Sequence, residues 1–293
     1  MTQNNLIRFD WAMKRLLRDK ANFVVLEGFL SELLQDDIKI QSILESEGNK
    51  EELEDKFNRV DLLAENSQKE LVIIEVQNTR ELYYFQRMLY GVSKAITEYI
   101  HEGDQYSEVR KVYSVNIVYF DLGQGSDYIY HGITEFKGLH TNDTLRLSTK
   151  QRNTFVREKA GELFPEYYVL RVNEFNDKAL TPLDEWVRFL KSGIIDEHAT
   201  AKGLQDARKR LQVIHMSKEE RAAYNRHIEN LRVQWDVLTT AHGEGWDEGR
   251  KEGKAEGIIE EKNEVARNMK KDGIPPDVIA KYTGLTLEQI QQL

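Results

Sequence analysis

At 293 residues the chain has room for one catalytic-sized domain and an appendage, and 40% hydrophobic with 31% charged residues is the composition of a soluble globular protein. A net charge of -9 speaks against coating nucleic acid non-specifically, which draws on counterion release by many Lys and Arg, but leaves room for a local basic groove. Without cysteine there are no disulfides or thiolate zinc sites, and the seven histidines stand singly, so zinc-based or His-based nuclease chemistry is not expected.

Mean hydropathy of -0.61 points to exposed helical segments. No run approaches the roughly 18 apolar residues of a membrane span. The N-terminal MTQNNLIRFDWAMKRLL lacks the apolar core and small-residue cleavage site of a secretory signal, so a cytoplasmic protein without membrane association is expected.

Amphipathic spacing predicts a helix from about Phe9 to Lys20 and a more apolar one from about Phe23 to Leu34. DIKIQSIL alternates like a strand, and ESEGNKEELED (45 to 55) reads as a solvated acidic loop. RVDLLAE and ELVIIEV then form two strands joined by a few polar residues that suit a hairpin turn. From Leu82 to about His101, Phe85, Met88, Leu89, Val92, Ile96 and Tyr99 recur at helical spacing and predict one long amphipathic helix. VYSVNIVYF reads as a buried strand, with further strands in YIYHGITEF and YYVLRV. The order implies an α/β domain over 1–180, a small mixed sheet flanked by helices.

Near Thr181 the pattern changes. Thr-Pro starts one helix, and Ser217 with Glu220 makes a capping box for another, so 181–242 is expected to be a helical region packed on the first domain. Glycines at 245, 249, 253 and 257 each cost a helix roughly 1 kcal/mol relative to Ala, so 243–261 reads as a frayed linker, or alternatively as a helix with a glycine stripe. Residues 262–293 have the layout of a helix-turn-helix. Its last helix, LTLEQIQQL, carries no Lys or Arg for phosphates, which favours packing or homo-oligomerisation over DNA reading.

Chemistry concentrates on the hairpin. Pairing Glu65 with Leu71, with Ser67, Gln68 and Lys69 at the turn, sets Asp61 opposite Glu75 and places Asp61, Glu75 and Gln77 on one face. Two carboxylates so placed have Cβ atoms about 5 Å apart and repel unless a cation sits with them. Oxygen donors suit Mg²⁺ or Mn²⁺. From spacing alone the favoured reading is a half-exposed hairpin that happens to carry charges.

FDWAMKRLL, RVDLLAE, IIEVQ and the YYFQRMLYG helix, in this order over roughly residues 1 to 180, resemble the PD-(D/E)XK nuclease core, a restriction-endonuclease-like αβββαβ fold. More narrowly they resemble the recombination-promoting nuclease or putative transposase family, glycine-rich tail included. The resemblance implies that Asp61 and Glu75 bind the metal, that Val76 offers its carbonyl, and that Gln77 stands where the superfamily has a catalytic lysine. Glutamine is usual there in the narrower family, but a neutral amide supplies no positive charge.

Candidates for that charge are Lys56, Arg59, Arg87 and Lys94, with Arg87 first. Tyr83, Arg87, Tyr90 and Lys94 share the polar face of the long helix, and Tyr83, Arg87 and Lys94 are DNA-contact candidates together with Lys56 and Arg59. Asp10 matches the upstream acidic position, where it completes the metal site or anchors a nearby basic residue; an Asp at the start of a helix serves equally as a cap. The histidines, His101 and His131 among them, read as surface or packing residues. The expected function is an Mg²⁺-dependent or Mn²⁺-dependent endonuclease of double-stranded DNA in recombination or transposase-like contexts. The alternative is a catalytically weak nuclease fold serving as a DNA-binding or protein-interaction module.

Overall fold

The computed structural model describes residues 8–15, 17–44, 61–100, 103–212 and 216–293. The acidic loop, Lys56, Arg59 and His101 fall outside the described residues.

Six strands form one mixed sheet in the order β1-β2-β3-β4-β6-β5. β1 (Ile40–Leu44), β2 (Leu62–Asn66) and β3 (Leu71–Gln77) make an antiparallel meander. β3, β4 (Val112–Val118) and β6 (Glu166–Arg171) run parallel, and β5 (Ile129–Gly132) closes the edge antiparallel to β6. The expected hairpin register is present, with Glu65 paired to Leu71 and Leu62 to Ile74. Its turn is fixed chemically. The Asn66 side-chain oxygen accepts from the backbone N–H groups of Gln68 and Glu70, and Lys69 takes the left-handed conformation at φ 63°.

β3 and β4 are almost continuously apolar because both of their faces are covered. On one face α3 (Tyr84–Glu98) lays Val92 and Ala95 over Leu63, Leu71, Ile73 and Val112, and Tyr84 and Met88 over Val118 and Val169. The alternate residues Leu62, Ala64, Val72, Ile74 and Val76 are also buried. On their side lie α1 (Phe9–Arg15), α2 (Phe23–Leu34) and α5 (Pro182–Ser192), joined by edge-on and tilted packing of Phe9, Phe29, Trp186 and Phe189.

Three expectations change. The first helix ends at Arg15 rather than Lys20, because the Asp19 carboxylate accepts from the Ala21 N–H and starts a separate 3-10 turn. YIYHGITEF keeps only four strand residues, since Gly132 pairs with Tyr167, the second residue of β6, and the ladder between β5 and β6 ends there among the described residues. The buried stripe of α3 is Tyr84, Met88, Val92 and Ala95, whereas Phe85 and Leu89 are exposed. The helix is rotated toward Tyr84, whose hydroxyl finds a buried partner on β4, Asn116.

Contacts divide the chain after Arg221, not near Thr181. α5 begins at the expected Thr181 cap and Pro182, and it packs, as does α6 (Leu204–Arg210), on α2 within the sheet-bearing unit. α7 (Lys218–Lys271) starts at the Ser217–Glu220 capping box and runs as one helix through the four spaced glycines, the helical alternative to a linker. In the second unit α7 ends against α8 (Pro276–Thr283) and α9 (Leu287–Gln292), which share a small core of Ala266, Ile279, Leu285 and Ile290. Among the described residues no helix is long and apolar enough to cross a membrane.

Candidate active site

Ladder parity organises the end of the hairpin. Odd residues of β3 direct their backbone groups to β4, as Leu71 N–H does to Lys111, so Val76 directs its N–H and its carbonyl toward β2. β2 starts only at Leu62, and the Asp61 carboxylate takes the place of the next ladder group. Its Oδ2 accepts from Val76 N–H at 2.8 Å. Arg18, which the sequence did not single out, donates to the Asp61 backbone carbonyl at 3.0 Å.

Glu75 lies two residues back along the α3 face from Gln77 and is 7% exposed. Its Oε2 has no hydrogen-bond partner among the described residues. Arg87 Nε is 3.7 Å away, too far for a hydrogen bond, while Arg87 Nη1 donates to Glu81 at 3.1 Å. Burial pushes the Glu75 carboxyl up to about 7, against the pull of the Arg87 charge, and the charges of Asp61 and Glu81 add to the rise. Burial disfavours the Arg87 charge, but Glu75 and Glu81 outweigh it and hold the guanidinium more firmly protonated than usual.

The parallel register sets Asn116 of β4 beside Glu75. Asn116 Nδ2 donates to the Ser114 and Tyr168 carbonyls, and its Oδ1 accepts from the Tyr84 hydroxyl at 3.2 Å. That hydroxyl also lies within reach of Glu75, and burial raises its pKa so that it keeps its proton. Neither residue was foreseen. The available signal was a polar residue inside the apolar run VYSVNIV, the same pattern that marks Glu75 in LVIIEV.

Asp61, Glu75 and Arg87 are therefore neighbours. Gln77 shares their face but its amide donates to its own loop, at Thr79 O. Lys94 faces Glu98 one turn along α3 rather than Glu75. Tyr83 is exposed. His131, exposed on β5, bonds Glu166 and stacks on Tyr168, a packing role.

Asp10 stands elsewhere. It is 1% exposed, accepts from Arg8 at 3.2 Å, and shares Asn78 with it. Arg8 also lies over the Tyr119 ring, and the Tyr119 hydroxyl donates to Leu190 of α5, which puts this group on the sheet face opposite Glu75. Of the roles open to Asp10, anchoring a basic residue is the one its contacts support. Among the described residues no three acidic or histidine side chains gather as a metal-binding group. What remains is a set of oxygen donors: Asp61, the unpartnered Oε2 of Glu75, and the Val76 carbonyl turned toward Asp61. Such a set fits a hard divalent cation.

A family model described as PD-(D/E)XK nuclease family transposase matches residues 7–241. No curated protein matches the chain, and no solved structure matches it.

Proposed function

Starting from a chain that belongs to the PD-(D/E)XK nuclease family transposases, a membership that supports a nuclease-like function, we propose that it is a Mg²⁺-dependent or Mn²⁺-dependent endonuclease of double-stranded DNA. The observation that carries this reading is the buried Glu75 Oε2, left without a hydrogen bond beside Asp61 and Arg87. A buried carboxylate oxygen is costly to leave unmatched unless a cation takes it.

Asp61, Glu75 and the Val76 carbonyl would hold the ion, which when bound polarises the phosphodiester, makes a water more acidic and offsets charge on the leaving oxygen. Arg87 supplies the positive charge that Gln77 lacks. By leaving Glu81 it gains a free fork for a phosphate oxygen. Gln77 turns its amide from Thr79 to orient the attacking water. Arg18 keeps Asp61 in place through the backbone.

Supercoiled-plasmid nicking with and without Mg²⁺ tests the assignment. Wild type is expected to cut, and Asp61→Ala and Glu75→Ala to lose at least two orders of magnitude in rate, the usual scale of removing such a group. Equal cutting by all three would remove the site. A second reading, a weakly catalytic fold that binds DNA or protein, draws on the engagement of Gln77 with its own loop. It predicts complexes without product under any divalent ion.

A further inference from the structure

Tyr83 and Tyr90 are 66% and 51% exposed, although large aromatic side chains gain most from burial. They lie four residues before and three residues after Arg87, so α3 stacks all three on one flank, with Arg87 in the middle and reaching in to Glu75. Arg80, in the loop that leads from β3 to α3, is exposed and makes no ion pair with any described residue. Two exposed tyrosines that flank Arg87 along the helix, with Arg80 in the loop before it, are the elements of a stacking platform for bases whose phosphates are held by arginine.

A duplex gripped by its backbone needs rows of cations, and this flank offers few, in a chain of net charge -9 and with Glu81 already drawing on Arg87. Stacking supplies affinity without them. Inside an intact duplex, however, base faces are covered by neighbouring bases, so only unpaired bases can meet these rings. We infer that Tyr83 and Tyr90 hold unpaired DNA bases beside Glu75, so that the preferred substrate is duplex DNA interrupted by a bubble, gap or flap. As a statement about cutting it rests on the nuclease reading above. As a statement about binding it stands by itself.

The test uses the full chain and DNA carrying the fluorescent base 2-aminopurine in a five-nucleotide bubble, with Ca²⁺ in place of Mg²⁺ for binding and Mg²⁺ for cutting. Wild type should quench the bubble probe and cut bubble DNA on the order of tenfold faster than the matched duplex, the scale of one stacked base. Tyr83→Ala with Tyr90→Ala should lose the quench and bring the cutting ratio to about one, while Tyr83→Phe with Tyr90→Phe should retain both. A quench unchanged in the alanine pair, or equal cutting of both DNAs by wild type, overturns the inference. So does a change of association state in the alanine pair without DNA, which would make the flank a contact with a second copy. Absence of product on every DNA with the quench intact sinks the nuclease reading and supports the stacking platform.

Discussion

Arg87 Nε faces Glu75 Oε2 across 3.7 Å, and neither atom has a hydrogen-bond partner among the described residues. The guanidinium is therefore the main force lowering a carboxyl that burial raises to about 7. Replacing Arg87 with Gln leaves Asp61 and Glu81 as the charged neighbours. The Glu75 titration, followed by carboxyl carbon-13 NMR without metal, should move above its wild-type midpoint. An unchanged midpoint would mean that the two side chains do not sense each other in solution.

The raised Glu75 value also sets a pH dependence of stability. Its folded value of about 7 exceeds the ordinary 4.5, so between these the folded state holds more proton than the unfolded one. Its contribution is fully present below pH 4.5 and is lost as pH rises through about 7. At roughly 1.4 kcal/mol per pKa unit, this amounts to on the order of 3 kcal/mol. Glu75→Gln should flatten that slope and make the metal-free protein more stable at pH 8, as read by urea denaturation at several pH values.

The contacts of Asp10 predict an architectural acid rather than a metal ligand. Asp10→Ala strips Arg8 and Asn78 of their buried partner and should destabilise the fold by about 1–3 kcal/mol. Mn²⁺ affinity, measured by paramagnetic relaxation, should stay at the wild-type value. A tenfold loss of affinity in a folded Asp10→Ala protein would return the residue to the metal site.

Gly28 on α2 meets the chain at Lys202 and Gly203 so closely that an added Cβ would lie 2.3 Å from the Lys202 carbonyl oxygen. That neighbour is backbone and cannot swing aside. Gly28→Ala should therefore destabilise by about 1–3 kcal/mol or more, the cost of overpacking, despite the better helix propensity of alanine. The midpoint of chemical denaturation checks this, and an unshifted midpoint would show that α2 and α6 do not approach as described.

Much of the sheet was legible because period and turn chemistry are local. α2 occupies the predicted Phe23–Leu34, and side-chain alternation, the turn residues and the requirement that Asp61 and Glu75 share a face together gave the pairing of Glu65 with Leu71. The orientation of α3 was not legible. A stripe that takes Phe85 and Leu89 and leaves out Tyr84 fits helical spacing, but it fails once Asn116, thirty-two residues on, offers the Tyr84 hydroxyl a buried partner. Arg18 escaped for a similar reason. It acts on a carbonyl forty-three residues away through a contact that no periodicity encodes. The family pattern pointed to Asp10 by position, whereas its contacts with Arg8 and Asn78 follow from which sheet face it occupies.

Because β3, β4 and β6 run parallel, the segments 78–83, 119–128 and 172–181 all leave the sheet at the end where Asp61 enters β2. Asp61 and Glu75, by contrast, are held by backbone ladder bonds and by register. Under the proposed function, chemistry and choice of target are written in different parts of the chain. On that same reading, exchange of these three loops between relatives is expected to redirect which DNA is accepted while leaving Asp61 and Glu75 in place.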